Sequence, residues 1–362
     1  MASESSSRRR RTLREGTRDE RPALDGSGAG SKSSAKAWLW SIGLGTAAVL
    51  GAMFFVTQSQ SRPNVTYPAR GPIPKLYSPE RAESYLKAVC DLGPRPSGSR
   101  AMVMQQDMLE EYFKKCGGTV RRQEFETRHP ENGSAVPMTN LIVTFYRDRP
   151  KRFLFCAHYD TRPYPDRDKR NKRGVFVGAN DGGSGTAGLM ELANHTRSLP
   201  DNVGVDLVLF DGEEFVWRER RDRYFIGSTY FAEDYKNNPP EIPYEAGVLF
   251  DMIGDKELKI YYEGNSLRYA KPVARSFWKT AQRLGVNAFV MRQRHEIRDD
   301  HLPLNQIAGI PTIDVIDFDY PRPGIGAPSY WHTEQDVVEN CSGTSIAAVV
   351  WVAHEWLLSQ GK

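Results

Sequence analysis

Cysteine is scarce in this chain and clusters nowhere. Cys90, Cys116, Cys156 and Cys341 are scattered through 362 positions, with no C-x-x-C pair among them. That pattern excludes a zinc knuckle and a dithiol redox motif. It leaves one or two disulfides open in an exported domain, with a pairing that spacing does not decide. Phosphate-cradling signatures are missing too. The Gly-rich stretch 178–185, GANDGGSG, matches neither G-x-x-x-x-G-K-[ST] nor G-x-G-x-x-G. No internal repeat is present. Net charge is small, +4, and residues 1–36 hold nine Lys/Arg against five Asp/Glu. This tail therefore carries the whole excess, and the neutral remainder has no electrostatic footprint for nucleic acid.

The tail is rich in Ser, Gly and Arg with almost no large apolar residue, which predicts disorder over 1–36. Residues 37–58 then form an uncharged, mostly apolar run long enough to cross a bilayer, with Trp38 and Trp40 at one edge. The basic flank precedes the run. The prediction is a single transmembrane signal anchor with a cytoplasmic N-terminus and the rest of the chain on the non-cytoplasmic side, in periplasm, extracellular space or secretory lumen. A Pro-rich linker spans 59–77, and 78–362 is long enough for one large domain.

Within that domain strand-like and helix-like stretches alternate. Ser78-Pro79 reads as a helix start, with a capping Ser and Pro at the first position. Ala101–Lys115 has helical spacing, with Ala101, Met104, Met108, Leu109 and Tyr112 on one face, read as core. Arg152–Cys156, Val205–Phe210, Gly247–Phe250 and the run 310–316 are short apolar strands. Arg268–Leu284 and Ser345–Leu358 read as helices, and the charged stretch 161–176 as a solvated insertion. Together these predict an α/β fold, a three-layer α/β/α sandwich with a mostly parallel central sheet.

The chemistry gathers where apolar runs give way to loops. Val205–Phe210 stops at Asp211-Gly212 and delivers Glu213 and Glu214, two carboxylates whose side chains point different ways. His158 and Asp160 follow another strand, Asp181 sits in the Gly-rich turn, and Asp251 ends a third strand. Asp299, Asp300, His301 and His332 complete the candidates. Each alone is a common turn residue. Strand ends of an open α/β sheet converge on one edge, however, and ligands bind there. Imidazole with carboxylate and no thiolate suits a catalytic zinc with an open position. Zinc would polarise a carbonyl or activate a water, and a nearby carboxylate would move protons.

These residues also carry a resemblance. HYD (158–160), ND (180–181), DGEE (211–214), DMIG (251–254), DDH (299–301) and WHT (331–333) resemble, as an ordered set from about Ser78 onward, the zinc aminopeptidase-type exopeptidase family. Details are closer to the glutaminyl-peptide cyclotransferases within it. Asp299 occupies the place where aminopeptidases have Ser, and Trp331 directly precedes the last ligand. The resemblance implies a zinc-dependent catalytic domain over 78–362 that turns N-terminal glutamine of peptides or proteins into pyroglutamate. It implies one zinc held by Asp181, Glu214 and His332, and Glu213 as proton shuttle in a chain with Asp251 and Asp299. Trp331 and Trp217 would wall the pocket. In the aminopeptidase alternative two zinc ions bind, with His158 and Asp251 as added ligands and Asp181 bridging; Asp160 would support such a site. Arg298 stands where the animal cyclases have Gln, and Asp314 where they have His.

Overall fold

The first helix begins where a capping residue meets a proline. In the computed structural model, which describes residues 68–318 and 330–362, α1 spans Pro79–Cys90. The Ser78 hydroxyl accepts the Arg81 N–H at 3.1 Å, a cap contributing about 1 kcal/mol. The tail 1–36, the apolar run 37–58 and residues 59–67 lie outside the described residues. Among the described residues no helix is long and apolar enough to cross a membrane. Residues 68–77 already lie on the domain: the Arg70 N–H donates to the Gly285 carbonyl (2.8 Å) and the Tyr77 hydroxyl meets His354 Nδ1 (2.7 Å).

Next come α2 (Arg100–Lys115), β1 (Thr119–Arg128), β2 (Ala135–Phe145) and β3 (Lys151–His158). A Gly-rich turn at 179–184 leads into α3 (Gly185–Ala193), then β4 (Val203–Phe210), α4 (Ile226–Asn237) and β5 (Tyr244–Asp251). The chain continues through β6 (Ile260–Tyr262), α5 (Gly264–Tyr269), α6 (Lys271–Leu284), β7 (Phe289–Gln293) and β8 (Thr312–Ile316), and α7 (Gly343–Gln360) follows. The central sheet runs β1-β2-β4-β3-β5-β8, and β6 pairs with β7 apart from it. β4, β3, β5 and β8 are mutually parallel, while β2 pairs antiparallel with both β1 and β4. The sheet is therefore mostly parallel with an antiparallel flank.

Alternation sends the two faces of each strand to different layers. Phe153, Phe155 and Ala157 of β3 join Val205, Leu207 and Leu209 of β4 in the larger core, with side chains of α1, α3, α6 and α7. Leu154, Cys156, Val208 and Phe210 face the other way, against Phe231 and Ala232 of α4. Helices thus cover both faces, which is why the parallel strands read as continuous apolar runs. Asp206 interrupts the run in β4 and is buried. An isolated charge there would cost several kcal/mol; Arg152 Nη2 at 2.5 Å and the Tyr244 hydroxyl meet it.

Two sequence expectations change. Arg268–Leu284 is two helices, because Pro272 starts α6 and the intervening Ala270 is non-helical (φ −134°, ψ 36°). The buried side of α2 carries Met102, Leu109 and Phe113, whereas Met104 is 49% exposed. The core stripe begins one residue later than the spacing from Ala101 proposed.

Candidate active site

The parallel strands all point their C-terminal ends at one edge, and the acidic residues follow from that. β3 ends on His158, β4 is succeeded by Asp211, Glu213 and Glu214, and β5 ends on Asp251. Between β3 and α3 the Gly-rich turn brings Asp181 into the same space. Gly182 there has φ +82°, and a Cβ on it would come within 2.7 Å of the Asp160 carbonyl. Only glycine lets the turn approach this closely. The turn is tied to the end of β5: the Gly254 N–H donates to Asn180 Oδ1 (2.7 Å) and the Ile253 N–H to Ser184 Oγ (3.0 Å). His332 comes from the turn before α7 with φ +55°, a left-handed backbone that non-glycine residues avoid.

Two donor sets result. Asp181, Glu214 and His332 present ligand atoms within 4.8 Å of one another, and so do His158, Asp181 and Asp251; all are buried. In the first set His332 Nε2 lies 3.2 Å from Glu214 Oε1 and 3.5 Å from Asp181 Oδ2. In the second, His158 Nε2 is 3.1 Å from Asp181 Oδ1 and 3.3 Å from Asp251 Oδ1. Asp181 Oδ2 is buried with no hydrogen-bond partner. An orphaned carboxylate oxygen facing an imidazole and a second carboxylate is a place that a cation satisfies, and the donor chemistry fits zinc.

The electrostatics say the same. Burial pushes Asp181 up, and Glu214 adds to it. Burial alone would push the two imidazoles down, but the carboxylates around them win. His158 is held well above its ordinary range by Asp160, Asp181 and Asp251, and His332 is raised by Glu214 and Asp166. A site that draws protons onto its histidines is one where a divalent ion can supply the positive charge instead. Glu213 and Glu214 diverge. Burial and the Glu214 charge push Glu213 well up. Burial acts on Glu214 in the same direction, yet Arg162 and His332 outweigh it and hold that carboxyl well below the usual range. Burial and Asp251 likewise push Asp299 well up.

Asp160 is absent from both donor sets. Its carboxylate accepts backbone N–H groups from the glutamate pair and lies 3.6 Å from His158 Nδ1, so it supports the site without joining it. Trp331 packs on His332 with ring centroids 4.0 Å apart. Trp217 packs tilted against His129 (4.3 Å) and edge-to-face on Phe215 (4.5 Å) in a separate apolar patch. Asp300 accepts from the Ser228 hydroxyl at 2.5 Å and His301 lies 3.3 Å from Glu263 Oε2, and neither belongs to a donor set.

The charged stretch 161–176 is not simply a solvated insertion. Arg162 is buried and reaches Glu214 at 2.7 Å, Asp166 reaches His332, and Phe176 is buried against the same imidazole. Only Arg167, Lys169 to Arg173 and Val175 are exposed. Asp336 was also not legible beforehand. It accepts the backbone N–H groups of Asn180 (2.7 Å) and Asp181 (3.1 Å) and fixes the Gly-rich turn. Its place four residues after His332 was the available signal.

The model of peptidase family M28 matches residues 140–357, more than half of the chain. The chain belongs to that family. Among solved structures, this M28 domain is similar to the glutaminyl cyclase of Fimbriiglobus ruber, with 38% identity and a TM-score of 0.74 over 80% of this chain and 97% of that one. It is similar also to a zinc-dependent exopeptidase of Parabacteroides distasonis, with 32% identity and a TM-score of 0.71 over 78% and 98% of the two chains. A curated relative is the glutaminyl-peptide cyclotransferase of Bos taurus, 26% identical over 245 residues, covering 58% of this chain. The chain spans 62% of the length of that bovine relative.

Proposed function

We propose that this M28 protein is a zinc-dependent glutaminyl-peptide cyclotransferase, acting on the N-terminal glutamine of peptides or proteins and releasing ammonia. The observation that carries the reading is the buried carboxylate group of Glu213, Asp251 and Asp299 beside the donor set Asp181–Glu214–His332. The likeness to solved glutaminyl cyclases supports it.

Cyclisation within one residue needs orientation and a proton relay, and no activated water. Glu213 accepts a proton from the substrate's α-amine as the amine nitrogen bonds to the γ-carbonyl carbon. It returns that proton to the departing amide nitrogen as the carbon–nitrogen bond breaks and ammonia leaves. Burial and the Glu214 charge raise its proton affinity above that of an ordinary carboxylate, the direction a proton shuttle needs. The buried Asp299 adds negative charge that raises the proton affinity of Glu213, and Asp251 does the same to Asp299. Asp181, Glu214 and His332 would hold the zinc, which would supply Lewis acidity to polarise the γ-carbonyl. One ion is expected. Trp331, packed on His332, would wall the substrate pocket, whereas Trp217 packs on His129 and Phe215.

A second reading, a two-zinc aminopeptidase, has a specific observation in its favour: the set His158–Asp181–Asp251 shares Asp181 with the first. One assay separates the two. The purified full-length chain, in detergent, is incubated with a Gln-initiated and a Leu-initiated peptide, and products are followed by mass spectrometry. Loss of ammonia from the Gln peptide alone supports the cyclase; loss of an N-terminal residue from either overturns it.

The run 37–58 is proposed as a single-pass anchor holding the domain on the non-cytoplasmic side. Its length, lack of charge and basic N-terminal flank support that placement. Deleting 1–58 should move the protein from the membrane to the soluble fraction; a deletion product that stays with the membrane refutes the anchor.

A further inference from the structure

We infer that Arg162 and Asp166 are positioning residues that close a ring around two zinc donors and fix each to one ligand atom. The inference rests on zinc binding by Asp181, Glu214 and His332, and not on which reaction follows. Four contacts close the ring. Glu214 Oε1 faces His332 Nε2 at 3.2 Å. Glu214 Oε2 accepts from Arg162 Nη1 at 2.7 Å. Asp166 Oδ2 accepts from Arg162 Nη2 at 3.1 Å. Asp166 Oδ1 lies 3.2 Å from His332 Nδ1, and both atoms are buried with no other partner.

The same loop also grips His332 through the main chain. The Arg167 N–H donates to the His332 carbonyl (3.1 Å), and the Glu334 N–H donates to Asp168 Oδ2 (3.1 Å). The Arg167 guanidinium lies 4.0 Å from the Trp331 ring centre. The loop therefore holds the turn that carries His332 in its left-handed backbone.

Each closure has a chemical effect. The guanidinium fork occupies Glu214 Oε2, so only Oε1 faces the metal position. A carboxylate free at both oxygens could chelate zinc and close the open position that catalysis needs. The Asp166 carboxylate faces Nδ1 and so favours the tautomer with a proton there, leaving Nε2 as donor. By contrast, Asp251 in the second donor set has no arginine on its carboxylate among the contacts of the described residues.

The test uses the full-length protein with Asp166→Asn, Arg162→Met and the double variant. Zinc affinity is measured by competition with a chromophoric chelator, and the cobalt(II)-substituted proteins by visible absorption. Each single change should weaken zinc binding 10–100-fold. The double should be no weaker than the worse single, because a ring opened once is already open. The cobalt band of Arg162→Met should lose intensity as Glu214 turns to two-oxygen binding. Affinity within twofold of wild type in folded Asp166→Asn overturns the inference, and so do strictly additive losses. If Arg162→Met does not fold, Asp166→Asn, isosteric and partly exposed, still decides. Pyroglutamate formation by the wild type is read separately. A zinc-binding protein that fails to cyclise sinks the proposed function and leaves the ring intact. A cyclase with unchanged zinc affinity in the variants does the reverse.

Discussion

Asp160 holds Glu214 by its main chain: the Glu214 N–H donates to Asp160 Oδ2 at 3.0 Å, and the neighbouring Glu213 N–H donates to Oδ1 at 3.2 Å. One buried carboxylate thus orients both members of the glutamate pair, whose side chains then diverge. Asp160→Ala should leave both amides buried without partners and let the pair shift. Removing such a support lowers metal affinity or activity on the order of 10–100-fold. Zinc titration and initial rates on the same preparation check this, and wild-type values for both would show that the anchoring is dispensable.

Glu213→Gln removes the proposed proton acceptor while keeping the shape of the side chain. Zinc content should stay at the wild-type level, since Glu213 is in neither donor set. Turnover of a Gln-initiated peptide should fall about 10²–10⁴-fold. Elemental analysis and steady-state kinetics read the two effects independently. Unchanged turnover removes Glu213 from the proton transfer.

Stripping the metal should destabilise the fold. Asp181 and Glu214 lie close together with His332 and Asp336 around them, and burial and the Asp181 charge push Asp336 up to about 8. A cation bound only by the folded state adds about 2.7 kcal/mol at a hundredfold excess over its Kd. The melting temperature should fall on chelation and recover with zinc. His332→Ala should melt like the chelated wild type and respond little to added zinc; a full zinc response in that variant argues against ligation.

A pH effect on stability is expected at His354. His354 of α7 meets the Tyr77 hydroxyl at 2.7 Å through Nδ1 and Ser198 Oγ at 2.8 Å through Nε2. Burial, with the neighbouring His195, pushes it down to about 4. The unfolded chain, with an ordinary value of about 6.5, therefore takes up the proton first as pH falls. Stability from this residue is complete above about 6.5 and is lost toward about 4, to the order of 3 kcal/mol. Urea unfolding at pH 7.5 and at pH 4 should show a smaller loss in His354→Gln than in wild type. Equal losses would mean that His354 does not set this dependence.

The parts legible in the sequence are those written locally. A strand that ends in a carboxylate or an imidazole announces itself by an apolar run and its last residue, so His158, Glu213, Glu214 and Asp251 could be named without the fold. The Gly-rich turn could be read because only glycine permits the approach now measured around Asp181. Arg162, Asp166 and Asp336 could not. Their partners lie far along the chain, and a charged residue in a polar loop looks solvated until the loop is seen to fold back. On α2 the stripe from Ala101 falls one residue early because Met104 and Met102 fit helical spacing about equally well, and only packing in the fold selects Met102. The short pair β6 and β7 carries too few residues for alternation to show.

The donors Asp181, Glu214 and His332 come from three separate places: a turn before α3, the end of β4 and the turn before α7. A ribosome makes them in that order, and His332 arrives after every strand of the central sheet has been synthesised. A metal held by these three residues therefore cannot seed this domain during synthesis. It can only seal a sheet already in register, as the last ligand docks. A nascent chain stopped before His332 should lack this three-donor site however much secondary structure it has formed. Zinc content then serves as a gauge of completed folding.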